Sequence, residues 1–560
     1  LISDIVYEKN FVEELLKTNG IFNYSKLYLS SSLGVLKHTG KMFEYVLSDL
    51  NVNSKQILHI GDNYTSDIIN AQSYNINTLY VPSVFQSMKK LEINKFKNIY
   101  NNQKLSTVHN GLIAKTMCDN PFIINEKSFI NANIKNLGYS VFAPIVFSFA
   151  QWLLKDIIQN NIKEVFFLAR DGFIVKKSVD ILIDKFNLDI STYYIYASRR
   201  AINISSIFTL EDIIKLIELN FSTTTLEKFL RNRFGIEIDM INQNLLDIYD
   251  FEFDTQVNYT NDFKKLKKFI LEKSISNLIL ENAQKERELL LDYFNENSLK
   301  NDNKLKALVD IGHNGSLQVG ISNLLGTNLL LGYYFCTFDG IKQVFEKGMD
   351  AKGFYSNLVK SSDIKNPYIK NILMFELLFQ NQDKSFLYFK KIENTIKPVF
   401  LDEYHYEDRK AFIQRLYLGV ENYIKEFVPY LCSKILEQEI DAKYVVEPYI
   451  DFLENPQITD IEIFQNIYFE NVFSNREYTP IINKRKPNHS VWKKGSQLFF
   501  DYEQPILKEN KVNLTAISLN DKLFNLYINS GLKKPFQKLK DIPFIGKYLI
   551  KFKHTVLNWK

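Results

Sequence analysis

Short apolar runs that stop on a charged or small polar residue, then pass within a few positions into a helical pattern, recur along this chain. They are KLYLSS (26–31), QILHIGD (56–62), KEVFFLARDGF (163–173), STYYIYASRRA (191–201) and KALVDIGHNGS (306–316). Runs of this length are too short for buried helices and suit strands flanked by helices on both faces. Strands alternating with helices imply parallel α/β sheets, in which ligands sit at the carboxyl ends of the strands. The fold class predicted is therefore α/β: a partial Rossmann-like parallel sheet first, then a second α/β domain with helical insertions and a helical C-terminal region.

At 560 residues with 46% hydrophobic content, the chain exceeds one ordinary core and predicts about three units. The expected boundaries are 1–85 for the first α/β unit, 86–125 for a linker and 126–400 for the second α/β unit, which holds a helical insertion at about 208–300. A helical accessory region is expected at 401–515 and a basic amphipathic tail at 516–560. Charged residues are 24% and the net charge is +5, which argues against disorder and against a dedicated nucleic-acid binder. Cys118, Cys336 and Cys432 are far apart and give no disulfide or metal framework, so a reducing cytoplasm fits. The apolar stretch 138–158 is shorter than a comfortable membrane span, and the expectation is a buried helix.

In the first unit, three polar sets follow strand-like runs: Ser3 and Asp4 after the first apolar residues, Lys37 after SSSLGV, and Asp62, Asn63, Ser66 and Asp67 after ILHI. Two carboxylates five residues apart at a strand-to-helix turn can approach one Mg²⁺, a hard cation that takes oxygen ligands. A nearby lysine would neutralise a phosphate. Singly, Asp67 also reads as a helix N-cap and Lys37 as a solvated lysine.

Together, LISD, KHTGKMF and GDNYTSD resemble the second, third and fourth motifs of the haloacid dehalogenase (HAD) superfamily of phosphatases. The resemblance implies that Ser3 and Lys37 contact phosphate and that Asp62 and Asp67 hold Mg²⁺. That family's first motif, Asp-x-Asp-x-Thr, supplies the nucleophile and precedes the second. It is not found before Ser3, and the expectation is that the full-length protein carries it upstream.

In the second unit, ARDG (169–172) puts a cation and a glycine at a tight turn, where backbone N–H groups can meet pyrophosphate oxygens. Arg199 and Arg200 end the next strand with planar donor forks suited to phosphates. Asp310 ends a third strand and can accept from sugar hydroxyls. Gly312, Asn314, Gly315 and Ser316 form a loop before a helix, a cradle for a monophosphate. The alternatives are an Arg170–Asp171 ion pair, a plain basic strand end, Asp310 as a cap of the following helix, and turn-making glycines.

The 307–325 stretch is similar to the phosphoribosyl-pyrophosphate loop of type I phosphoribosyltransferases. FFLARDGFIVKKSVDIL looks like their pyrophosphate loop, which adds Asp171 and Gly172 to Arg170. Ile311 stands where that family has a second acid, and about 140 residues separate the two loops. FLARDG, SRRA, VDIGHNGS and FELLF, with Glu376, resemble bacterial proteins that carry a HAD domain and serve capsule and lipopolysaccharide synthesis. That resemblance implies transfer of 5-phosphoribose from phosphoribosyl pyrophosphate, or another phosphosugar, to a glycan acceptor, followed by removal of the phosphate. Asp310 would face the positive charge that develops on the ribose. Glu376 reads either as a base or acceptor contact or, the preferred alternative, as a solvated residue on a helix face.

The last 29 residues, 532–560, carry eight lysines against one acid with aromatics interleaved. That mix suits a segment lying on anionic lipid, or a helix docked on the protein with its lysines outward. The expected location is cytoplasmic, or peripheral at the inner face of the cytoplasmic membrane beside a lipid-linked acceptor. Competing readings are a HAD-type hydrolase whose C-terminal region only binds glycan, and a non-catalytic membrane scaffold.

Overall fold

The computed structural model describes residues 1–90, 99–100, 103–122, 128–221, 223–403, 405–471 and 476–502. The chain divides into two compact units, Leu1–Gln497 and Leu498–Lys560. The expected basic tail lies outside the described residues.

The N-terminal region alternates strands and helices as its pattern predicts. Strand β1 (Ile2–Ser3) pairs in parallel with β2 (Tyr28–Leu29), and β3 (Leu58–Gly61) pairs in parallel with β4 (Asn77–Tyr80). Among the described residues the two pairs do not join into one sheet. Helix Lys41–Leu50 spans the region by burying Met42 and Val46 against the Tyr28 side and Phe43 against the Ala71 and Ile76 side. Leu58 and Ile60 of β3 stay 58% and 56% exposed.

The central sheet has five parallel strands: β5 (Glu164–Leu168), β6 (Ser191–Ile195), β9 (Lys306–Asp310), β10 (Leu330–Phe338) and β11 (Ala351–Val359). Two short strands, β7 (Thr224–Thr225) and β8 (Gln256–Val257), lie between β6 and β9 in the chain. The spatial order is β6-β5-β9-β10-β11. Val165 to Leu168 and Ala307 to Val309 are buried, because helices cover both faces of a parallel sheet. The strand order reverses direction between β5 and β9. A crevice opens at such a point at the carboxyl ends of the strands.

Between β6 and β9 the chain makes a helical insertion with its own core, running from Ile204 to Ala283. After β11 come helix Ile372–Phe379 and the hairpin β12 (Phe386–Ile392) with β13 (Thr395–Phe400). Strands β14 (Tyr468–Asn471) and β15 (Arg476–Pro480) form a last hairpin.

The apolar stretch at 138–158 belongs to a continuous helical run, Ile134–Gln159, with 78% of its most apolar window buried inside the protein. It crosses helix Tyr406–Phe427 at two glycines. A Cβ on Gly138 would lie 1.9 Å from the Leu416 carbonyl oxygen, and one on Gly419 would lie 2.1 Å from that of Lys135. Only residues without a side chain permit this approach. The expected linker also differs, since Gln103–Cys118 is a helix that buries Leu105, Leu112, Ile113 and Met117. Its apolar residues are spaced to bury one face, which a linker does not require.

Candidate functional site

The turns after β5 and β9, about 140 residues apart in sequence, line one cavity of about 180 Å³ together with the start of helix Arg199–Ser205. Arg170, Asp171, Arg199, Arg200, Asp310, Gly312, Gly315 and Ser316 all contribute to its wall. Residues not anticipated for this site are Asn232 from the insertion, Asp383, Lys384 and Ser385 before β12, and Phe386 and Phe469. None of these follows a strand in the sequence, so no local pattern marks them.

Local chemistry explains how each turn forms. Arg170 adopts φ +73°, the left-handed region that disfavours a side chain, and its N–H donates to the Tyr194 hydroxyl at 3.0 Å. Its Nη1 donates to Ser385 Oγ at 2.9 Å. Strain of this kind persists only where its surroundings enforce it. Gly172 has an ordinary φ of −77°. A Cβ there would lie 2.7 Å from the Leu168 carbonyl oxygen, and the Gly172 N–H already donates to that oxygen at 2.9 Å. Gly172 therefore tightens the turn, and its N–H is not turned toward a pyrophosphate as expected from sequence.

The β9 loop needs its glycines for two reasons. Gly315 adopts φ +71° immediately before helix Ser316–Leu325, and a Cβ on Gly312 would lie 2.8 Å from the Cys336 carbonyl oxygen. Among the described residues, nothing accepts a hydrogen bond from the N–H groups of Gly315, Ser316 and Leu317. A helix N-terminus in this state attracts an anion. Asn314 departs from expectation. It is exposed, does not line the cavity, and has its side chain against Gly340. Its carbonyl accepts from Gln343 Nε2 at 2.7 Å.

The paired arginines divide. Arg200 is buried, and its Nη1 and Nη2 meet the two Glu286 oxygens at 3.0 and 3.1 Å. Nη1 also donates to the Leu387 carbonyl at 3.0 Å. Arg200 thus ties the insertion to the β12 hairpin, and its fork is spent on Glu286 rather than open to phosphate. Arg199 is exposed, and among the described residues its side chain makes no hydrogen bond or ion pair. It is the cation of this pair open to an anionic ligand.

Four carboxyls line the cavity, Asp171, Asp310, Glu376 and Asp383, and burial raises the first three. Burial, then the charge of Asp171, pushes Asp310 up to about 7, against the Ile311 N–H (2.8 Å) and Arg199. Burial, again followed by Asp171, pushes Glu376 up to about 7, with Arg199 and Arg170 opposing. Burial also raises Asp171, against Arg170 and Arg199, and its Oδ1 is sealed from solvent without a hydrogen-bond partner. Glu376 is therefore a cavity residue and not the solvated helix-face glutamate that its sequence setting predicts. The helix bearing it is held by Tyr417, whose hydroxyl donates to the Phe379 and Gln380 carbonyls at 2.8 Å each, and by Tyr449, which donates to the Met374 carbonyl at 2.9 Å.

In the N-terminal region, Lys37 Nζ meets Asp67 Oδ1 at 2.5 Å, His59 Nε2 lies 3.1 Å from the same oxygen, and the Asn63 N–H donates to Oδ2 at 2.9 Å. Both Asp67 oxygens are occupied, so Asp67 positions Lys37. Asp62 is exposed, and Asp4 accepts from the N–H groups of Lys37 and His38. Ser3 lies in β1, half-buried. Among the described residues no three acids, histidines or cysteines gather as a metal-holding group. With both Asp67 oxygens taken, the residues present offer an Mg²⁺ only the Asp62 carboxylate of the expected pair.

Residues 36–99 match the family model of HAD-hydrolase-like proteins, which supports a hydrolase-type N-terminal region. The match spans Lys37, Asp62 and Asp67 and begins after Ser3. No curated protein matches the chain.

Proposed function

We propose that the cavity between β5 and β9 transfers a phosphosugar, 5-phosphoribose from phosphoribosyl pyrophosphate, to a hydroxyl of a glycan acceptor, and that the HAD-like region removes the phosphate afterwards. The observation that carries this reading is the convergence of two glycine turns and an unpaired arginine on one cavity at the switch point of a parallel sheet. A donor with phosphate at one end and pyrophosphate at the other matches that spacing of groups. The N–H groups at the start of helix Ser316–Leu325 and the Ser316 hydroxyl would hold the 5-phosphate. Arg170 and Arg199 would face the pyrophosphate, which arrives as its Mg²⁺ complex, part of the substrate.

Displacement of pyrophosphate puts positive charge on the ribose ring. Asp310, oriented by the Ile311 N–H and lining the same cavity, would favour that charge. In the HAD-like region, Lys37, fixed by Asp67, would take the phosphate of the transferred sugar. The setting would be assembly of a bacterial surface polysaccharide on a lipid-linked acceptor at the cytoplasmic face of the membrane.

Titration calorimetry of the whole chain with phosphoribosyl pyrophosphate and Mg²⁺ tests the reading. The expected result is saturable binding that Asp310→Ala abolishes. An absence of binding by the unaltered protein overturns it and favours a hydrolase whose larger part only positions a glycan.

A further inference from the structure

Resting on that reading, we infer that Glu376 is the general base of the transfer. Its carboxylate takes the proton of the acceptor hydroxyl as that oxygen bonds to the anomeric carbon. The bond from that carbon to pyrophosphate breaks, and its electron pair leaves with the pyrophosphate. The proton ends on Glu376, and no further reactant is consumed.

Ile372–Phe379 reads ILMFELLF, and Met374, Phe375, Leu377, Leu378 and Phe379 are each at most 1% exposed. Glu376 is the single ionisable residue in this apolar turn, and it opens on the cavity. A carboxyl placed there without a partner costs stability, so its position needs a reason other than packing. Among the described residues it accepts no hydrogen bond and makes no ion pair. Glu286, near the same cavity, has both oxygens satisfied by Arg200. The protein thus answers one carboxylate completely and leaves the other open to the cavity.

Asp310 is the competing base. It belongs to the same strand end as the phosphate cradle, and its Oδ1 is oriented by the first N–H of that loop. Its place is on the donor side. Glu376 comes from an element that carries neither cradle, held from behind by Tyr417 and Tyr449. A second reactant would meet Glu376 on a part of the cavity lining that carries neither cradle. The groups facing it are Asp171 and Arg170 from the β5 turn, Arg199 from helix Arg199–Ser205, Asp310 from β9, and Tyr368. Burial first, and then the neighbouring Asp171, keep Glu376 basic. A base that titrates near 7 is matched to accepting a proton at neutral pH.

The test uses the full chain, phosphoribosyl pyrophosphate with Mg²⁺, and a panel of methyl glycosides as hydroxyl donors, read as pyrophosphate release and as donor binding by calorimetry. Glu376→Gln should bind the donor within a factor of about three of the unaltered protein and release pyrophosphate about 100-fold more slowly. The rise of rate with pH through about 7 should disappear in that variant, and Glu376→Asp should recover part of the rate. Equal release by Glu376→Gln overturns the assignment, as does loss of donor binding in step with rate. Donor binding without pyrophosphate release on any glycoside also overturns it. If the unaltered protein binds no donor, the transfer reading itself falls, and this inference with it.

Discussion

Asp310 is the last residue of β9 and Asp67 lies in the helical turn that follows β3, both on the carboxyl side of a short parallel strand, and their acidities move in opposite directions. Burial pushes Asp67 up, yet hydrogen bonds from Lys37, the Asn63 N–H and His59 hold it below the ordinary carboxylate range. Asp310 has one N–H donor, a distant arginine and two neighbouring acids, and rises to about 7. Burial alone therefore does not fix the charge of an aspartate on this side of a strand. The number of donors within hydrogen-bonding reach decides it. The N-terminal cluster is a closed circuit of satisfied groups, and the central cavity is left short of donors.

The strongest way to break the contrast is Lys37→Met, which makes Asp67 resemble Asp310. Removing one partner from a buried ion pair should cost about 3 kcal/mol at neutral pH, measured by urea unfolding. In the unaltered protein the contribution of Asp67 is present at neutral pH and lost as pH falls below the ordinary carboxylate range, because its folded-state pKa is depressed. Lys37→Met should remove that acid-side loss.

Next in size, Arg199→Ala should weaken phosphoribosyl pyrophosphate binding about 100-fold by calorimetry, since a charge-assisted contact to phosphate is lost. It should also push Asp310 and Glu376 further up, because Arg199 opposes both shifts. Carbon-13 NMR of the carboxyls would read that change. A variant with unaltered affinity would show that Arg199 does not meet the ligand.

Asp310→Asn sharpens the comparison from the other side. An acid whose pKa is raised on folding binds more protons folded than unfolded between about 4 and 7, so stability falls as pH rises through that window. The amide removes this penalty and should stabilise the unliganded protein by about 2 kcal/mol at pH 8, with little change at pH 4. Smallest, His59→Phe removes one of the donors to Asp67 and should cost about 1 kcal/mol in the same unfolding assay.

What could be read in the sequence follows the range of the interactions involved. Lys37, Asp62 and Asp67 lie within 31 positions, and local spacing marks them. Strands β5, β6 and β9 were also legible, because each carries its own apolar run, whereas β11, AKGFYSNLV, has no such run and was not anticipated. Arg170, Asp310 and Ser316 were found because each follows such a run. Glu376 and Asp383 follow no strand, and reach the cavity through tertiary packing that no short pattern encodes. Arg199 and Arg200 are adjacent and identical in type, and only Glu286, 86 positions away, separates their roles.

The glycine crossing of the 134–159 and 406–427 helices has a consequence for how the protein can vary. Tyr417, which steadies the turn bearing Glu376, lies two positions from Gly419. A methyl group added at either glycine would wedge the two helices apart and shift that tyrosine. Changes at two interior sites, neither of them lining the cavity, should then be as poorly tolerated as changes to the reacting groups, and a screen of random variants for lost activity would recover both classes together.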